Sequence, residues 1–164
     1  MYNYVDNDDP LVDEYRKLSF EGNVFLEIGK PIWLSTVWNN MCRKAIDNNA
    51  DILIMGNDDL IYKTKNWDNI LLDKLKDFSD DIYCAWFDDM IHNGTEEWPC
   101  AFPIISKTWF NILGRFTLER DGFCFNDAWN YHIAKMANRT KYIPEVVVEH
   151  AHWTTGKMKA DEKS

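Results

Sequence analysis

The stretch DILIMGNDDLIY, Asp51 to Tyr62, decides how this chain is read. An apolar run, Ile52 to Met55, stops at Gly56, and Asn57 then leads into two adjacent acids, Asp58 and Asp59. A short continuous apolar run reads as a strand covered on both faces, and here predicts parallel pairing in an α/β sheet. Adjacent carboxylates repel, so they are an unnatural end for a buried strand. A bound divalent ion makes them tolerable, because hard cations take oxygen ligands. The competing reading is a solvated turn with one helix-capping acid.

Working outward, strand-like and helix-like segments alternate, which argues α/β. Tyr2 to Val5 is a short strand, and Leu11 to Leu18 a helix with Pro10 at its first turn. Val24 to Ile28 is a second strand, followed by a helix capped by Ser35 or Thr36 and running to about Asn48. After Asp51–Met55, a helix starting at Lys65 or Asn66 buries a stripe of Trp67, Ile70, Leu71, Leu72 and Leu75. Asp81 to Phe87 is strand-like and ends in a second acidic pair, Asp88 and Asp89. Ala101 to Ile105 is a strand, and Ser106 caps a short helix that stops at Gly114. Asn126 caps a helix beginning at Asp127, and Tyr142 to Val148 is a last strand, ending in EHAHW. Acids and histidines thus gather past strand C-termini, the edge where open α/β sheets bind ligands.

The 164 residues suit a single domain, with 153–164 as a flexible tail. Aromatic residues make up 15%, and the eight tryptophans suit both a core and a site that stacks ring-shaped ligands. The net charge of −9 leaves no positive footprint for general nucleic-acid binding. An acidic protein can still bind a phosphorylated small molecule when a divalent cation supplies the missing charge. Cys42, Cys84, Cys100 and Cys124 show no Cys-x-x-Cys pairing, so they read as reduced, mostly buried side chains of a cytoplasmic protein. No signal peptide is apparent, and no apolar run reaches the ~18 residues of a membrane span.

Several residues carry chemistry in this pattern. His150 and His152 occupy alternate positions after EVVVE and point to one side of the chain, beside ordinary surface or core roles as the bland alternative. Carboxylate with imidazole suits Mn²⁺ better than Ca²⁺, and zinc is also permitted. Asp127 reads either as a dipole-favoured acid of a first helical turn or as a general base for an attacking hydroxyl. Asp6, Asp8 and Asp9 form either an Asx-type turn before Pro10 or a set of acceptors for a nucleobase or ribose. TTGK, Thr154 to Lys157, lacks the upstream glycine of a P-loop, but Lys157 can close over a diphosphate.

YVDNDDP, WNNMCRKA, ADILIMGNDDLIY, FNDAW and YIPEVVVEHAHW, in that order, resemble the GT-A glycosyltransferases, particularly the family-2-like enzymes of phages and large viruses. The resemblance runs from Tyr4 to about Lys157 and implies a Rossmann-like, mixed but mainly parallel sheet flanked by helices. It implies Asp59 as direct ligand of Mn²⁺ or Mg²⁺, and Asp58 as a ribose or metal-water contact. Asp6 matches the acid that reads the nucleobase, Asn39 a residue lining the nucleotide pocket, and Asp127 the base of inverting members. His150, with His152 as alternative, matches the late histidine completing the metal site, and HWTTGK the loop closing on the donor diphosphate.

The implied activity is transfer of a sugar from a nucleotide-sugar donor, UDP-linked, to an acceptor hydroxyl on a glycan, protein or modified base. It would take place in the cytoplasm, that of the host for a viral enzyme. The loop DDMIHNGTEEW, with Trp98, is the acceptor-side candidate. Family members begin with a further central strand and helix ahead of YVDNDDP, for which Met1 leaves no room. The expectation is therefore a fragment, a reduced version, or a sheet completed by a partner chain or a second copy. Two alternative readings are a non-catalytic nucleotide- or carbohydrate-binding remnant and a metal-dependent phosphohydrolase or nuclease.

Overall fold

The computed structural model of the chain describes residues 1–18, 24–57, 59–91, 100–119 and 126–151. Their elements run β1 (Tyr2–Asp6), α1 (Val12–Leu18), β2 (Phe25–Gly29), α2 (Leu34–Asp47), β3 (Ile52–Ile54) and β4 (Leu60–Tyr62). Then follow α3 (Trp67–Leu75), β5 (Cys84–Asp88), β6 (Ile104–Ser106), α4 (Lys107–Leu113), α5 (Asn126–Met136) and β7 (Thr140–His150). No described helix is long and apolar enough to cross a membrane.

The strands form two sheets. β1 and β2 pair parallel, Tyr2 opposite Phe25 and Asp6 opposite Gly29. The other five lie in the order β3-β6-β5-β7-β4. Within that sheet β5 and β7 are parallel, whereas β3–β6, β5–β6 and β4–β7 are antiparallel. The architecture is α/β with a mixed sheet, and the expected mainly parallel, Rossmann-like pairing is corrected. The reason lies in the opening run. Leu53 and Met55 pack with Cys84, Trp86 and Ile105 beneath α2, α4 and α5, while Ile52 and Ile54 face Ala85, Ile104 and Val148 beneath α3. Unbroken apolarity thus reports cover on both faces, which an antiparallel strand can also have.

β4 was not expected, and it changes the meaning of the quoted stretch. β3 and β4 lie at opposite edges of the five-stranded sheet, yet only residues 55–59 separate them. The six Cα steps from Ile54 to Leu60 reach at most about 22 Å, hardly more than the ~19 Å width of five flat strands. The sheet curls, and both edges line one small cavity, Ile54 and Met55 from one side and Leu60 and Tyr62 from the other. The described residues 55–57 and 59 therefore belong to a strap across the mouth of a curled sheet.

A second irregularity shapes the same region. Phe87 pairs with Ile143, but the next residue, Asp88, pairs with Val147. Pro144 falls inside that jump, where a residue without an N–H interrupts a ladder. Beyond it, β7 pairs with β4, Leu60 opposite His150.

Helix ends follow sequence chemistry unevenly. Ser106 caps α4, its Oγ accepting from Trp109 N at 2.9 Å, and Gly114 ends the helix in the left-handed region at φ 72°. α2 instead begins at Leu34 with no side-chain cap, and Ser35 is buried within its first turn. That corrects the expected Ser35 or Thr36 cap. In α3, Leu71 and Leu75 are buried but Leu72 is 52% exposed, so the stripe is narrower than expected.

α3 and the turn after it are tied to β7 by the ion pairs Lys74–Glu145 and Lys141–Asp77. The lysine hydrogen bonds hold both carboxyls below their ordinary values. A carboxyl depressed in the folded state adds stability above its unfolded pKa and loses it as pH falls through the folded value. Denaturant unfolding across pH 6 to 3 is expected to lose stability at the acid end. The slope should be shallower in an Asp77→Asn/Glu145→Gln variant and in high salt, because both pairs are exposed.

Candidate functional site

Asp59 and His150, 91 positions apart in sequence, meet at the strap: His150 Nε2 lies 3.0 Å from Asp59 Oδ2. The backbone sets this meeting. Leu60 pairs with His150, Ala151 N donates to Asp59 O at 2.9 Å, and His150 N donates to Asp89 O at 3.3 Å. Both side chains are largely buried, at 16% exposure for Asp59 and 12% for His150. Asp59 Oδ1 is buried with no hydrogen-bond partner among the described residues. A carboxylate oxygen in that position normally meets a donor or a cation.

The contact has the length of an ordinary hydrogen bond or ion pair, and the same spacing is compatible with two ligands of one divalent ion. Two ligands in adjacent positions of an octahedral ion, each bonded at about 2.1 Å, are about 3.0 Å apart. That equals the Nε2···Oδ2 distance. No group of three or more His, Cys, Asp or Glu among the described residues forms a metal cage. The described candidate ligands are thus one carboxylate and one imidazole, which by themselves would make only a partial set for Mn²⁺ or Mg²⁺. Asp58, His152 and Lys157 lie outside the described residues, as does Trp98.

Around the pair sit residues that the sequence did not single out. The Phe102 ring meets the His150 ring edge-to-face, with centroids 4.9 Å apart and planes at 83°. A cavity of about 10 Å³, room for one water, is lined by Leu60, Tyr62, Phe87, Asp89 and Phe102 among others. Asp88 and Asp89 make Asx-type turns, accepting from Met90 N and Ile91 N, with Met90 at φ 62°. Asp89 is 5% exposed. Burial first, and then the negative charge of Asp88 and Asp89, raises the Tyr142 phenol above its ordinary value.

Asp127 lies in the first turn of α5, half-buried, and its Oδ1 accepts from Ala128 N at 2.7 Å. Its backbone carbonyl accepts from the Cys100 thiol at 3.8 Å. Burial, reinforced by the neighbouring Cys84, pushes the Cys100 thiol well above its ordinary value, so it stays a protonated donor. Asp6 and Asp8 lie at the end of the two-stranded sheet. There Asp6 O accepts from Asp9 N, and Asp9 Oδ1 accepts from Leu11 N at 2.7 Å, an Asx turn. Asp8 is exposed and Asp6 half-buried.

Asn39, on α2, is buried and hydrogen-bonded within the fold. Its Oδ1 accepts from Phe116 N and Thr117 N at 2.8 and 2.9 Å, and its Nδ2 donates to Thr117 O and Glu119 Oε1. Its whole amide is engaged in bracing residues 116–119. Asn130 donates to Phe116 O and accepts from Trp109 Nε1, and Thr117 Oγ1 donates to Asn126 Oδ1. The spacing of Asn126 and Asn130, one helical turn apart, is the signal that could have revealed this network. Comparison with protein-family models, curated proteins and solved structures yields no match.

Proposed function

We propose that this chain is a metal-dependent glycosyltransferase that moves a sugar from a nucleotide-sugar donor, UDP-linked, to an acceptor hydroxyl. The observation that carries the reading is the buried contact between Asp59 and His150, with one carboxylate oxygen of Asp59 left without a donor. When bound, Mn²⁺ or Mg²⁺ supplies Lewis-acid stabilisation of the leaving diphosphate. Asp59, just before β4, and His150, at the end of β7, would hold that ion. Asp58, His152 and Lys157 belong to the same reading through the resemblance. Asp6 and Asp8 provide acceptors for the nucleobase and ribose. In an inverting transfer, Asp127 takes the proton of the acceptor hydroxyl as the new glycosidic bond forms and the bond from the anomeric carbon to the diphosphate breaks.

The test is turnover of UDP-sugars with and without Mn²⁺, alongside a phosphodiester substrate. Metal-dependent release of UDP is the expected result. Cleavage of the phosphodiester, with UDP-sugars neither bound nor consumed, would replace the transferase by a phosphohydrolase or nuclease. Asp127→Asn is expected to retain metal-dependent donor binding and lose about 10²- to 10⁴-fold in transfer rate, the range for a general base. Unchanged transfer in that variant removes Asp127 from the base role.

A second reading, a non-catalytic nucleotide- or carbohydrate-binding protein, is favoured by the division of the strands into separate two- and five-stranded sheets. It predicts metal-dependent UDP binding without turnover. The edges of β1 and β3, each paired on one side among the described residues, are where a further strand from a partner or second copy would add.

A further inference from the structure

The short segment Cys100–Pro103 touches three of the parts on which the proposed function depends. Cys100 donates its thiol hydrogen to the Asp127 carbonyl at 3.8 Å, at the start of α5. Pro103 O accepts from Met55 N at 3.1 Å, where β3 passes into the strap carrying Asp59. Between them, Phe102 lays its ring edge-to-face against His150. Cys100 and Pro103 are almost wholly buried, so Phe102 is held from both sides along the chain.

A histidine ring turns about a broad, roughly two-fold torsion, so a ring packed edge-to-face against it restrains its plane. Asp59 meets the His150 ring at Nε2, backbone pairing fixes its root, and Phe102 packs against the ring itself. The geometry points to Phe102 as a positioning residue that sets the plane of the His150 imidazole for metal binding, anchored through Cys100 and Pro103 to the base-bearing helix and the strap. This rests on the metal reading of Asp59 and His150. It assigns Phe102 no contact with substrate.

The experiment measures Mn²⁺ binding by calorimetry or paramagnetic resonance in the parent, Phe102→Ala, Phe102→Leu and Phe102→Tyr proteins, with thermal stability alongside. Residues that orient a metal-bound histidine typically change affinity 10- to 100-fold when replaced, so Phe102→Ala is expected to bind at least about 10-fold more weakly. Leu restores volume but not the ring and should stay weak, whereas Tyr should return to near the parent value. A merely structural residue would give the opposite ranking, with Leu rescuing and affinity following stability. Parent-like affinity in Phe102→Ala overturns the proposal.

The metal-free protein gives a separate readout, the nitrogen-15 signals of the His150 ring, identified by their loss in His150→Gln. They should be sharp and distinct in the parent and in Phe102→Tyr, and broadened toward those of exposed His132 in Phe102→Ala and Phe102→Leu. If the parent binds no Mn²⁺, the metal reading fails. Unchanged ring signals in Phe102→Ala then overturn the positioning role itself, and the expected broadening sustains it for the Asp59–His150 pair.

Discussion

Asp59→Asn is expected to leave metal-free stability within about 1 kcal/mol of the parent while abolishing the thermal response to Mn²⁺. Asparagine keeps a carbonyl to accept from His150 and removes a buried negative charge, one of whose oxygens has no donor among the described residues. What it cannot do is serve as an anionic ligand. On the proposed metal reading, Mn²⁺ at about 100 times its dissociation constant is expected to add about 2.7 kcal/mol to the parent protein, which is about 5–10 °C in Tm for a chain of this size. That shift should vanish in Asp59→Asn and in His150→Ala, as measured by thermal unfolding with and without the ion. A purely structural ion pair behaves in the opposite way. Breaking it costs about 3–5 kcal/mol without metal, and neither protein responds to Mn²⁺.

The second large effect concerns Asn39. Asn39→Ala removes the acceptor for Phe116 N and Thr117 N and the donor to Thr117 O and Glu119. A buried group left without its partner costs about 1–3 kcal/mol, so losing this bracket should cost about 3–4 kcal/mol, or about 10 °C in Tm. Asn39 and Asn130 grip Phe116 from opposite ends, at its N–H and its carbonyl. Their double replacement should therefore cost less than the two single losses added together, since both undo the same loop. A nucleotide-lining Asn39 would instead leave Tm unchanged and weaken donor binding alone. Thermal unfolding and UDP titration of the same variant distinguish the two.

Much of the element plan was legible in the chain, because it rests on local chemistry. The Ser106 cap and the Gly114 stop depend on a hydroxyl and a left-handed residue acting within one helical turn. The start of α2 was not legible, since Ser35 is taken into the helix and buried there. β4 is three residues long and two of them are exposed, so it has too little apolar pattern to announce itself. Its existence depends on β7, nearly 90 positions later. Phe102 gave no signal either, for an edge-to-face ring contact has no sequence period.

For the stretch Asp51–Tyr62, local chemistry alone prescribes a strand buried on both faces, followed by acids at its end. Side-chain hydrophobicity and charge act at each position whatever the neighbours, so those features could be read directly. The direction of the neighbouring strands, the curl that makes residues 55–57 and 59 part of a strap, and the meeting of Asp59 with His150 arise only in the folded chain. These come from hydrogen bonds and packing between distant segments. The break in the ladder at Pro144 and the pairing of β4 with β7 bring the histidine to the acid, and neither partner encodes the other.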